Sequence, residues 1–102
     1  MTRKLEENQP AYIDVICQTI DKLRVLYLSK PREYWQKDTV KGLNYSAEVC
    51  RSSNNALDAL ETLQEMYLLA LETAKERNEI SVLHYAEGVL YGYTTLKETA
   101  FP

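Results

Sequence analysis

Residues 56–77 read ALDALETLQEMYLLALETAKER, and the reading of this stretch decides the fold. It holds no Gly and no Pro and is mostly good helix formers, so propensity and pattern agree on a helix. At roughly 100° per residue, Asp58, Glu61, Glu65, Glu72 and Glu76 fall within an arc about 60° wide. Leu57, Leu60, Leu63, Met66, Tyr67, Leu68, Leu71 and Ala74 spread over about 200° of the other side, against the ~100° or more of an ordinary surface helix. A helix this broadly apolar needs neighbours on more than one side.

Upstream, Arg51-Ser52-Ser53-Asn54-Asn55 is rich in residues that compete with helix and favour caps. Asn55, with Asp58 three residues on, resembles a capping arrangement and starts a new helix. Before the break, Val40, Leu43, Ala47 and Cys50 recur at a narrow coiled-coil-like spacing. Gly42 inside that segment costs about 1 kcal/mol relative to Ala, which predicts a bend or the close approach of a neighbour. Lys30-Pro31 disfavours helix at residue 30 and suits Pro31 to a first turn. Ile13, Ile16, Cys17, Ile20, Leu23 and Tyr27 form the apolar stripe of a first helix, widened by Val15 and Leu26.

Downstream, Lys75 and Arg77 complement the C-terminal dipole of the central helix, and Asn78 is expected to cap a last one. The predicted fold is all-α: a four-helix bundle with helices at about 10–28, 31–51, 55–77 and 79–97. Fusion of the second and third into one long bent helix is the alternative. One helical domain over 1–102 is expected, with 1–9 and 99–102 as flexible ends.

The composition is ordinary for a globular chain, 45% hydrophobic and 26% charged, with few turn residues. The net charge of −3 argues against wholesale nucleic-acid binding. Charge is uneven, however: residues 22–41 are basic and 56–79 acidic, and the two segments could pair within the chain or between copies. Two separated cysteines on apolar stripes do not make a disulfide framework. Without a signal peptide or membrane-length apolar run, a cytoplasmic protein is expected. Tyr is over-used, eight against one Phe and one Trp, which suits contact surfaces.

The last predicted helix has two unlike faces. Val82, Leu83, Ala86, Val89, Leu90 and Tyr93 make the expected core stripe. Ser81, His84, Tyr85, Gly88, Tyr91, Gly92 and Thr95 gather on an uncharged second face. Gly88 and Gly92, one turn apart, open a trough in which a helix or a flat ligand can reach the backbone. Three occupants are open: another helix of the same chain, a second copy, or a planar ligand walled by His84, Tyr85 and Tyr91. A second candidate surface is the basic, aromatic turn of Lys30, Arg32, Tyr34, Trp35 and Lys37.

Nothing points to catalysis. The single histidine, His84, is followed by Glu87 in the reverse of the order used by carboxylate-bundle metal sites. There is no phosphate-binding glycine loop and no CxxC pair, and no cofactor or metal is called for. The expected function is a small non-enzymatic interaction protein, self-associating and binding a protein partner through the Tyr/Gly-rich face. Small Tyr-rich helical proteins of this kind occur on phages and mobile elements as inhibitors. Sequestration of a planar or anionic small molecule, such as a nucleotide, is the alternative.

Overall fold

The structure, a computed structural model, describes residues 9–29 and 36–101. These form α1 (Gln9–Ser29), α2 (Gln36–Ser52), α3 (Ala56–Arg77) and α4 (Ile80–Ala100), with no strand among them. The predicted start at Pro31 lies outside the described residues. At the C-terminus α4 runs to Ala100, which is buried, so residues 99 and 100 belong to the fold rather than to a loose end.

Helices α2 and α3 are separate. The Ser53 amide and hydroxyl both donate to the Val49 carbonyl, at 3.0 and 2.6 Å, and Ser52 Oγ donates to Glu48 O at 2.9 Å. The Ser53 bonds fill the Val49 carbonyl, an acceptor left over in the last turn of α2. Asn55 then adopts extended backbone, and its side-chain oxygen accepts from the Asp58 amide at 2.8 Å. That N-cap, expected from the sequence, sets the first turn of α3.

The α3–α4 junction corrects the sequence reading. Asn78 does not cap the last helix; it ends α3, in the left-handed conformation at φ 52°. The Glu79 amide reaches back five residues to Ala74 O at 3.3 Å, the bond that closes such a turn. Asn tolerates this conformation better than most residues. Glu79 takes the N-cap position of α4 without a side-chain cap bond.

Helix α4 packs most extensively against α2 and α3, while α1 lies mainly on α2 and touches the others less. The core is built from Ile16, Ile20, Leu43, Cys50, Leu63, Val89 and Leu96 with small residues between them. The predicted seam of Val40, Leu43, Ala47 and Cys50 is buried throughout. In α3 only the small residues and Leu63 are fully buried, because α4 covers it on one side. Leu57 and Leu68, placed in its core arc by the sequence, are exposed. The acidic stripe of Asp58, Glu61, Glu65, Glu72 and Glu76 faces outward.

The predicted core stripe of α4 also needs correction. Ala86 and Val89 are buried, but Leu83 and Leu90 are exposed, while Gly88 and Gly92 are buried. The helix is turned by about 80° from the orientation its largest residues favour. The cause is α2, which occupies the glycine flank.

Candidate functional site

The glycine trough is filled from within the chain. A Cβ built on Gly42 would lie 2.7 Å from the Val89 nitrogen and 2.8 Å from Gly88 Cα. One on Gly88 would lie 2.9 Å from Gly42 Cα and still closer to the Thr39 carbonyl oxygen. One on Gly92 would run into the Ser46 side chain. Both contacts advance by one turn on each helix, Gly42 to Ser46 and Gly88 to Gly92, so α2 and α4 run in the same direction through the crossing. Two small-residue steps thus face each other and bring the backbones together. Ser46 Oγ turns back to Gly42 O at 2.9 Å, so its hydroxyl is satisfied without help from α4.

The predicted second face of α4 therefore divides. Gly88 and Gly92 form a helix–helix joint, and they are not the floor of an open groove. Tyr85 and Thr95 are half-buried beside the joint, whereas Ser81 and Tyr91 are exposed at its rim. His84 is half-buried, and its Nδ1 lies 3.7 Å from Glu87 Oε2. Of the second candidate surface, Lys30, Arg32, Tyr34 and Trp35 lie outside the described residues, and Lys37 is exposed near the start of α2.

The described tyrosines sit at the edge of the core. Tyr27 and Tyr91 stack at 5.8 Å between ring centres, tilted by 57°, and Tyr45 and Tyr85 at 6.3 Å, tilted by 49°. Such pairs contribute about 0.5–1.5 kcal/mol beyond their buried area. Burial pushes the Tyr27 hydroxyl well above its ordinary pKa, and its hydrogen bond with Tyr91 adds to the effect. Burial raises Tyr85 as well, with Tyr45 beside it. These hydroxyls stay neutral, and four of the eight tyrosines join helices to one another.

Cys17 and Cys50 meet across the α1–α2 contact. The Cys17 thiol also donates to Ala47 O at 3.7 Å. Burial raises the Cys17 thiol, against a smaller opposing pull from Arg51, and pushes Cys50 up to about 12, helped by the neighbouring Cys17. Protonated, buried thiols are poor nucleophiles. Among the described residues, no three His, Cys, Asp or Glu side chains converge as a metal site.

The oppositely charged segments do not pair with each other among the described residues. Arg24 turns to Asp21 at 4.0 Å, Lys41 to Asp38 at 4.0 Å, and Arg51 to Asp21 at 3.0 Å. None of the ion pairs found there includes an acid of α3.

Apolar side chains remain exposed in two places: Val15, Val25 and Leu26 on α1, where Val15 and Leu26 do not join the buried stripe expected of them, and a larger set on the α3–α4 hairpin. Leu57 and Leu68 are 53% and 55% exposed, Leu83 and Leu90 45% and 37%, and Phe101 39%. On α4, Leu83 and Leu90 lie about 180–200° round the helix from the glycine joint, facing away from α2, and Phe101 follows just past the helix end. The two-residue turn sets α3 and α4 antiparallel, which puts Leu68 at about the height of Leu90 and Leu57 at about that of Phe101. A shallow open hollow of ≈ 450 Å³ at the Phe101 end is lined by Tyr93, Thr94, Lys97, Glu98 and Phe101. Lys97 Nζ stands 6.0 Å from the Tyr93 ring centre there. The sequence reading missed this surface, although the 200° apolar arc of the central helix was its signal: one neighbour cannot cover so wide an arc.

Fold and surface together define an all-α, four-helix protein with an apolar face left open on one hairpin. Among the described residues, no helix is long and apolar enough to cross a membrane. No known protein family, curated protein or solved structure matches the chain.

Proposed function

We propose that this is a small, non-enzymatic interaction protein that binds a protein partner through the outer face of the α3–α4 hairpin. The observation that carries this reading is the exposure of Leu57 and Leu68 on α3, Leu83 and Leu90 on α4, and Phe101 just past its end. Single exposed apolar residues are normal on a surface, but several on one side of one hairpin suit a contact site. The partner's apolar side chains fill the steps between the leucines, and the hollow beside Phe101 seats one anchor residue.

Magnitudes limit what the leucines do alone. Fully burying such a side chain contributes about 1.5–3 kcal/mol, so covering five half-exposed ones gives roughly 5 kcal/mol. Association itself costs an estimated ~4–15 kcal/mol. Tight binding through this face therefore needs polar complementarity as well. Self-association, expected from the sequence, and ligand capture, its alternative, drew in part on an open glycine trough. With α2 seated in the trough, a second copy is one protein that can compete for the hairpin face.

A photo-crosslinking side chain placed at Leu68, and separately at Ser81 on the rim of the glycine joint, tests the reading in the cells that make the protein. The expected result is a defined protein adduct from position 68 and none from position 81. Adducts from 81 alone, or from neither position in folded protein, would overturn it.

A further inference from the structure

We infer that the partner of the hairpin face is a basic amphipathic helix of another protein. This rests on the contact surface proposed above and adds its chemistry. Leu57 and Leu68 are eleven residues apart, three helical turns, and so lie on one line along α3. The arc of Glu61, Glu65 and Glu72 borders that line within about 80°. Leu69, exposed on the far side of the acidic stripe, borders it too. An outer surface of this kind offers two apolar anchor points three turns apart beside a band of negative charge.

The charge has no answer within the described structure. From residue 56 to residue 101 the chain carries eight carboxylates, the six at 58, 61, 65, 72, 76 and 79 with Glu87 and Glu98. Against them stand three cations, Lys75, Arg77 and Lys97. Among the described residues, no ion pair neutralises the five acids of the α3 stripe.

Charge weighs against this face pairing with itself. A twofold contact between two copies sets the same patch against itself, acid facing acid, and like charges suppress association. A helix with apolar residues every three or four positions and Lys or Arg between them meets both demands, laying its apolar side on the leucines and its cations on the acidic band. The opposite charge also speeds encounter and makes binding depend on salt.

The test uses the full chain and three labelled helical peptides sharing one leucine pattern. Their polar positions are filled with Lys/Arg, with Gln, or with Glu. Fluorescence anisotropy at low and high salt reads affinity, and light scattering reads mass. The basic peptide is expected to bind at least tenfold tighter than the Gln peptide at low salt, the advantage shrinking at high salt. Leu68→Asp, with helicity unchanged by circular dichroism, should weaken it at least tenfold. A Gln or Glu peptide that binds as tightly, and is lost in Leu68→Asp, would overturn the basic partner while leaving the contact surface intact. A dimer dissolved by Leu68→Asp, with no peptide bound, would give the face to a second copy and overturn the inference. No binding of any peptide to a folded monomer would overturn it too; the photo-crosslink at Leu68 then decides whether the contact surface falls with it.

Discussion

Gly88→Ala sets two effects of opposite sign against each other. Inside a helix alanine is favoured over glycine by about 1 kcal/mol. The added methyl, however, would lie 2.9 Å from Gly42 Cα and 3.0 Å from the Thr39 carbonyl carbon. Carbon atoms rest at about 3.5–4.0 Å, so α2 and α4 must part by several tenths of an ångström or more along the joint. The obstructing atoms are backbone and cannot swing aside. Overpacking of this kind costs about 1–3 kcal/mol, occasionally more. The Thr39 carbonyl oxygen lies closer still, which puts the cost at the upper end of that range. Less the ~1 kcal/mol favouring alanine, the expected net destabilisation is about 2 kcal/mol, a fall in melting temperature of roughly 8–16 °C for a domain of this size. Urea and thermal melts followed by circular dichroism measure it. Gly92→Ala should behave differently, because it meets the Ser46 side chain. Adding Ser46→Gly frees that space, so the double variant should recover much of the loss, a coupling that independent sites do not show. Gly88→Ala as stable as the parent, or more so, would refute close packing at the joint.

Further expectations follow from single groups. Asn55→Ala removes the cap bond to the Asp58 amide and should cost about 1 kcal/mol in a urea melt, whereas an unchanged midpoint would deny the cap. Among the described residues, Thr39 Oγ1 is buried without a hydrogen-bond partner. Thr39→Val should therefore stabilise by about 1 kcal/mol, and destabilisation would show that the hydroxyl is bonded. The Cys50 thiol is raised from 9.0 to about 12 by burial, so the fold keeps its proton where the unfolded chain releases it. Its contribution is complete below pH 9.0 and is lost as pH rises toward about 12, with Tyr85, also raised, acting in the same sense. Urea stability should fall as pH is raised above about 9, less steeply in Cys50→Ala, and a rise there would contradict the burial of these groups.

Local features were legible because local chemistry dictates them. The seam of Val40, Leu43, Ala47 and Cys50 follows from spacing alone, and the Asn55 cap from one side chain three residues from its amide. Gly42 signalled a bend or a close neighbour without deciding which. What could not be read is which surface each helix turns to which partner. A small-residue step looks the same whether a neighbour in the same chain or a second copy fills it, so Gly88 and Gly92 carried no answer by themselves. The matching step on α2, Gly42 and Ser46, was visible but its register was not. Once that joint forms, α4 is rotated, and Leu83 and Leu90 lose the burial their size suggests. Helix α1 lies mainly on α2 rather than on α3, which leaves Leu57 and Leu68 uncovered. Asn78 was assigned to the wrong helix because a two-residue turn serves both ends, and the left-handed backbone that settles it is not written in the residue pattern.

The joint between Gly42 and Gly88 is decisive, because its closure moves the contact surface from the trough to the hairpin leucines. Nuclear Overhauser contacts between the Gly42 and Gly88 α-protons test it directly, measured in a dilute sample mixed from labelled and unlabelled chains. The account predicts a strong contact within one chain. Its absence, or its appearance only between differently labelled chains, would reopen the trough to a second copy and contradict the account.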